Sequence, residues 1–241
     1  MPTTSRSWCH RSASFLPWHR YTLLVWETAL RKHCEYEGQI PYWDWTMDWN
    51  DLANSSIWDD TTGFGGDGDP HGQVTVGEGR CVTAGPFTEL RPIMYNHTYV
   101  RHCLSRGFRD GNTTGRLPSS PFRPEAIGKI VRKPTYKEFV KDVEYRLHNT
   151  MHTSIAGDFL ALTAANDPIF FVHHAQLDHL WWRWQQENPR KRLKEYEGKH
   201  MFNSTDENAS LDDMLLYGGF AEDIPVSKIM DTEKGVLCYR Y

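Results

Sequence analysis

Three stretches of the chain carry apolar residues at helical spacing. In the first, Leu23, Leu24, Trp26 and Leu30 follow Pro17, which suits an opening helical position and puts His19 in the first turn. In the second, P-T-Y-K-E-F-V-K-D-V-E-Y-R-L-H-N-T-M-H over 134–152, Thr135 reads as a cap with Glu138 three residues on. Phe139, Val143 and Leu147 then continue the helical face. The third, N-D-P-I-F-F-V-H-H-A-Q-L-D-H-L-W-W over 166–182, reads as one helix. Asp167 caps it, Pro168 opens it and Asn188-Pro189 closes it. Between the first two, Q-I-P-Y-W-D-W-T-M-D-W-N over 39–50 is an aromatic segment expected to pack in a core. Residues 51–128 are rich in Gly, Pro, Asn and Thr. Within them G-F-G-G-D-G-D-P-H-G at 63–72 reads as a flexible turn cluster, and no G-K-[ST] follows to make a phosphate loop. Val74–Val76 and Cys81–Thr83 are expected to form a small hairpin. An irregular insert of this length is expected to shape a substrate entrance. Residues 189–241 are charged and irregular and are expected to wrap the helices. The pattern predicts a mainly α fold with long loops and little β, as a single domain over 1–241.

The helices carry histidines where a plain core would carry Leu or Val. His148 and His152 stand at i and i+4, on one helical face, a spacing that lets two imidazoles meet one metal ion. A zinc protease would place Glu after the first of them; Asn149 stands there instead, so that reading loses its base. His173 and His174 are adjacent, with Asp178 one turn beyond His174, which reads as an imidazole backed by a carboxylate. His10 and His19 are nine apart and would face opposite ways on one helix; Pro17 between them favours two segments, with both rings turned into one site. Neutral imidazoles without thiolate or carboxylate suit copper, zinc, iron or nickel, and a second histidine set implies a second metal. His71, His97 and His102 are read as surface or loop residues rather than ligands.

Composition narrows the class. Of 241 residues 39% are hydrophobic and the net charge is −4 with mixed signs, which offers no electrostatic case for nucleic acid. No run of about 18 apolar residues occurs, so no membrane span is expected. The count of 12 His raises the case for metal, and the 10 Trp suit core and cleft walls. The five cysteines have no C-x-x-C spacing, and their odd number leaves at least one unpaired. Five N-x-[ST] sequons, at Asn54, Asn96, Asn112, Asn203 and Asn208, favour a glycoprotein exposed to the secretory pathway or the extracellular space. The opening M-P-T-T-S-R-S-W-C-H is no signal peptide. Oligomeric state is not legible.

H-x4-F-L-P-W-H-R-x2-L-x3-E from His10 to Glu27 resembles the copper A signature of tyrosinases, and D-P-x-F-F-x2-H-x3-D from Asp167 to Asp178 resembles their copper B signature. I-P-Y-W-D-W-T and the terminal C-Y-R-Y, similar to the tyrosine motif that closes the catalytic core in fungal and plant members, extend the likeness over most of the chain. The resemblance implies a type 3 copper protein of the tyrosinase and catechol oxidase kind. Its fold would be a four-helix bundle holding a dicopper centre, with dioxygen as co-substrate. By the motif positions His10 and His19 belong to copper A, and His148, His152 and His174 to copper B; His173 is the adjacent residue rather than a ligand. In the family an Asn after the first copper B histidine and an upstream Glu order a water that helps a phenol lose its proton. Asn149 takes the first position, and Glu144 is the candidate for the second, ahead of Glu138. Asn149 inclines the reading towards hydroxylation of monophenols. Arg20 is expected to pair with Asp178, and Phe170 to pack on a ligand ring.

Two departures stand out. The family's third copper A histidine lies upstream of the His10 position, and residues 1–9 contain none, which implies a truncated N-terminus or an incomplete copper A; no C-terminal lid domain is expected. Cys9 directly precedes His10, so the fungal C-x-H spacing is absent and no Cys–His thioether is expected. The implied activity is ortho-hydroxylation of phenols and oxidation of o-diphenols to o-quinones, on a small phenol, a tyrosine-containing peptide or a specialised metabolite. The competing expectations are oxygen binding of haemocyanin type without turnover, and an inactive homologue with incomplete copper A.

Overall fold

A computed structural model describes residues 9–241, and divides the chain into two compact units. The opening residues 1–8, and with them the expectation of no signal peptide, lie outside the described residues. The first unit takes the chain up to Tyr42, Gly128–Glu144 and His174–Tyr241; the second takes Trp43–Ile127 and Tyr145–His173. The elements are mainly helical with little β, as the apolar spacing predicts.

In chain order the helices are α1 (Phe15–Cys34), α2 (Trp45–Asp48), α3 (Pro124–Val131), α4 (Tyr136–Asp142), α5 (Asn149–Ile155), α6 (Ile169–Gln186) and α7 (Pro189–Arg192). Helix α1 starts two residues before Pro17, which is tolerated because a first-turn N–H has no helical acceptor to lose. Arg11, at φ 54°, breaks the chain ahead of it, so His10 and His19 do lie on separate segments. Thr135 caps α4 as expected, its hydroxyl accepting from Glu138 N–H at 3.3 Å. The helix does not run on evenly, however. Val143–His148 is a π-helical turn between α4 and α5, a widening that apolar spacing does not reveal. Asp167 caps α6 by accepting from Ile169 N–H at 3.1 Å, and α6 ends at Gln186 before Asn188-Pro189, as predicted.

The first unit is organised on a buried charge. Arg20 is 1% exposed, one turn into α1. Its Nε donates to Asp178 Oδ1 at 2.5 Å, its Nη1 to Ile229 O and Met230 O at 3.0 and 3.1 Å, and Nη1 and Nη2 to Gln185 Oε1. The guanidinium also lies 3.7 Å from the Trp181 ring centroid. Asp178 Oδ2 accepts from the hydroxyls of Tyr239 and Tyr241. The expected Arg20–Asp178 pair is therefore present, and the C-Y-R-Y end closes over it. The expectation that Asp178 backs His174 is corrected: both Asp178 oxygens go to Arg20 and the two tyrosines. Around this hub Phe139 stacks on Trp184, and Tyr136 donates its hydroxyl to Ala13 O at 2.6 Å. The strands Met214–Leu215 and Ile224–Pro225 pair antiparallel, Leu215 opposite Ile224.

The second unit has its own buried pair. Arg106, fully buried, grips Asp167 through Nε and Nη2 at 2.7 and 2.8 Å. Its Nη1 donates to the carbonyls of Phe64, Gly65 and Gly66. The glycine cluster at 63–72, expected to be a flexible turn, is thus wrapped on a guanidinium. Gly65 sits at φ 72° with Ala84 O 2.5 Å from where a Cβ would be, so only glycine fits. The expected hairpin is also corrected. Cys81 does not pair with 74–76; strand Arg80–Cys81 pairs with Ser105–Arg106, and Val74 keeps a single bridge to Arg80. A Cys81–Cys103 disulfide fastens that pairing, while Cys9, Cys34 and Cys238 are free thiols. Met94–Tyr95 and Thr98–Tyr99 form a second antiparallel pair. Trp43, Trp45 and Trp58 are buried as the aromatic segment predicts. His102, expected at the surface or in a loop, lies in a loop but is buried, and its Nε2 meets Asp158 Oδ1 at 2.8 Å.

Removing one partner of a buried ion pair strands the other charge. Asp178→Ala is expected to cost about 3–5 kcal/mol of folding free energy. Urea unfolding of the copper-free chain measures it; a loss confined to the range of an exposed pair would contradict the hub.

Candidate metal centre

Each unit brings its own histidines together. In the first, His19 and His174 stack with ring centroids 4.1 Å apart and planes 6° from parallel. His10 stands 5.3 Å from His19. Phe15 lies against both stacked rings, 4.8 Å from His19 and 6.5 Å from His174. His19 and His174 are buried and His10 is half-buried. In the second unit, His148 and His152 lie 4.1 Å apart on one face, as their spacing predicts. His173, fully buried, lies 5.9 and 5.4 Å from those two rings and 5.3 Å from Trp45. Phe159 stacks on His152 at 4.1 Å, and Phe170 meets the same ring edge-on at 6.5 Å. The contact expected of Phe170 is present; the closer partner, Phe159, had no sequence signal.

The ring nitrogens show what these imidazoles are prepared to bind. His19 Nδ1 lies 2.7 Å from Phe15 O, and His152 Nδ1 lies 2.5 Å from Phe159 O. A carbonyl oxygen only accepts, so Nδ1 carries the proton in both and Nε2 keeps its lone pair. His148 Nδ1 lies 3.0 Å from Asn149 Oδ1, which sets the same tautomer. Nitrogen donors oriented through Nδ1–H in this way fit a copper ion. The thiol beside His10 is unsuited to ligate: Cys9 Sγ is 3.2 Å from His10 Nδ1, but burial pushes its thiol up to about 12, far from the thiolate a metal needs.

Glu144 is 3% exposed, so it is not a solvated helix charge. Its Oε1 accepts from the backbone N–H of Arg11 at 2.7 Å, the residue after His10. Burial raises its carboxyl to about 7, although the Arg11 amide and charge pull the other way. Glu138, the second candidate, is exposed on α4, as is His33 at the end of α1. His71 and His97 are exposed, and all five sequon asparagines are exposed too.

The model of the common central domain of tyrosinase matches residues 1–187. The chain belongs to the tyrosinase family. It is 72% identical to the tyrosinase-like protein phomQ2 of Diaporthe leptostromiformis over 98% of this chain and 60% of that protein. It is 68% identical to the tyrosinase ustQ of Aspergillus flavus over 98% of this chain and 65% of that protein. The chain thus spans less than two thirds of either relative's length. Among solved structures it is similar to a variant polyphenol oxidase from Thermothelomyces thermophila, at 25% identity and a TM-score of 0.81, covering 97% of this chain and 74% of that one. That neighbour has the same mainly helical fold, consistent with the expected four-helix bundle. The family's cofactor is a pair of copper ions, with dioxygen as co-substrate.

The Glu144 carboxyl gives a signed pH dependence. Its folded value, about 7, lies above its ordinary 4.5, so the protonated form favours the fold. That contribution is complete below about pH 4.5 and is lost as pH rises through 7. Glu144→Gln keeps the acceptor for Arg11 without the charge. In the copper-free chain it is expected to gain on the wild type from pH 4.5 to 7, up to about 3 kcal/mol, and to run parallel above. Urea unfolding across that range checks the sign.

Proposed function

We propose that this chain is the catalytic core of a copper oxidase that uses dioxygen to hydroxylate phenols at the ortho position and to oxidise o-diphenols to o-quinones. His10 and His19 are assigned to copper A, and His148, His152 and His174 to copper B, by their places in the two signatures. The observation that carries the reading is the shared tautomer of His19, His148 and His152, each with Nδ1 held by an oxygen, which puts the lone pair on Nε2. When bound, the copper pair supplies the redox chemistry by which dioxygen is reduced as the phenol ring is oxidised.

The chain's own residues handle the proton and the ring. A phenol must lose its proton before its oxygen can bind a metal, and at neutral pH a poised base helps. Glu144, raised to about 7, is half-ionised near neutrality and suits that task, with a water as relay. Asn149 spends its carbonyl oxygen on His148 and keeps its amide N–H groups to orient that water. Phe159, stacked flat on His152, and Phe15, tilted against His19, keep those rings fixed and exclude water from them. The substrate is a small phenol or a tyrosine within a peptide or specialised metabolite. No helix among the described residues is long and apolar enough to cross a membrane.

Copper content and turnover test the reading together. Elemental analysis is expected to approach two copper ions per chain, with o-quinone formed from catechol; reversible oxygen binding without quinone would instead favour a carrier. Asn149→Ala is expected to lower monophenol turnover about tenfold or more while diphenol oxidation changes less, because the less acidic monophenol depends more on the ordered base. Equal losses on both substrates would remove Asn149 from proton handling.

A further inference from the structure

Three oxidisable rings run in sequence from a ligand histidine of the first unit. Trp18 meets His19 edge-on at 5.0 Å between centroids. Tyr217 stacks on Trp18 at 5.1 Å with planes 15° apart, and Tyr21 meets Tyr217 edge-on at 4.7 Å. We propose that Trp18, Tyr217 and Tyr21 form an electron-transfer chain that carries oxidising equivalents from the His19 site towards solvent and protects the ligands from damage. This rests on the copper assignment made above.

Ring type and hydrogen bonding argue for it. Phe15, Phe159 and Phe170 lie against ligand rings, and benzene rings resist one-electron oxidation. Indole and phenol give up an electron far more readily, and these occupy successive places in one stack. Electrons pass quickly between rings at contact distance. A phenol also needs somewhere to put its proton when it is oxidised. The Tyr217 hydroxyl lies 2.5 Å from Trp18 O and 2.7 Å from Thr22 Oγ1. The Tyr21 hydroxyl donates to Glu222 O at 2.9 Å, beside the exposed carboxylates of Glu222 and Asp223. The stack therefore ends at an acidic, wet surface where a proton can leave.

The balance closes with hydrogen peroxide as oxidant, the product of dioxygen reduction that fails to reach substrate, and an o-diphenol as reductant. Trp18 loses one electron, and Tyr217 restores it while its phenolic proton shifts into the hydrogen bonds to Trp18 O and Thr22. Tyr21 then reduces the Tyr217 phenoxyl, the proton returns to Tyr217, and the Tyr21 proton passes to water. The diphenol returns one electron and one proton to Tyr21. Two such passages, with two protons, reduce one hydrogen peroxide to two waters and convert one diphenol to its quinone.

The test uses the copper-loaded chain with hydrogen peroxide and no phenol, freeze-quenched for electron paramagnetic resonance and then mapped by peptide mass spectrometry. The wild type is expected to show a tyrosyl radical, with oxidation products at Tyr217 and Tyr21. Tyr217→Phe keeps the stacked ring but interrupts the chain; it is expected to lose most of that radical, concentrate oxidation on Trp18 and His19, and release copper several-fold faster. Tyr21→Phe, a milder change, is expected to keep a radical on Tyr217 and prolong it. Matched copper content and melting temperature before peroxide exclude misfolding as the cause. No wild-type tyrosyl radical, or a Tyr217→Phe variant with unchanged radical yield and oxidation map, overturns the proposal. Catechol turnover measured in parallel separates the two readings: turnover without the radical sinks the chain alone, and the radical without turnover sinks the oxidase reading alone.

Discussion

A guanidinium buried at the first turns of α1 constrains everything around it in the first unit. Arg20 has no water to fall back on, so each of its N–H groups must find an acceptor inside the protein. Asp178, Gln185 and two carbonyls of 229–230 supply them. These acceptors come from α6 and from the last stretch of chain, so the hub fixes their registers at once. His19 adjoins Arg20, and His174 stands one helical turn before Asp178. A pair that locks Arg20 to Asp178 therefore also sets the two imidazoles, which is how they come to lie parallel at 4.1 Å. Buried ion pairs add little net stability relative to apolar packing. What this one contributes is a single permitted alignment for two rings that a metal site needs in register.

The second unit solves a similar problem with different residues. Asp167 caps α6 through Ile169 N–H and holds Arg106 with both oxygens. The same arginine gathers the carbonyls of 64–66, so a loop with few apolar residues is ordered by charge and backbone. Glycine is what permits this, because a side chain at Gly65 would meet Ala84 O. The irregular insert is thus tied by hydrogen bonds to the residue that caps α6.

The helices, and the common face of His148 and His152, were legible because their signals are local. Pro17, Thr135, Asp167 and Asn188-Pro189 mark helix ends by chemistry that acts within a few residues, and an i,i+4 histidine pair needs no tertiary information. The Arg20–Asp178 pair was legible only because the signatures contain both residues. Other features stayed hidden for physical reasons. The π turn at 143–148 depends on packing rather than composition. Cys81 pairs with a strand more than twenty residues on, through a disulfide that spacing alone cannot assign. His102 looked like a loop histidine because its partner, Asp158, is distant in sequence. Asp178 looked like support for His174, since spacing reports which face a side chain shares and not which of several partners wins it.

The partners that set the tautomers of His19 and His152 were the least legible of all, because Phe15 O and Phe159 O are main-chain atoms that any residue would supply. Yet their chemistry decides what the rings can do. A carboxylate in the same place would push charge onto the imidazole and make it more basic, whereas a carbonyl leaves it neutral and simply oriented. On the assignment proposed above, His19 and His152 would meet a cation through Nε2 with the ring already held at Nδ1 and little rotational freedom left to lose. The titratable group beside the His10 turn is instead Glu144, a buried carboxyl that titrates near neutrality and is tied to the Arg11 amide. On the proposed assignment, proton handling and metal binding fall to different residues, so that the protonation state could change without disturbing the nitrogens that hold the metal.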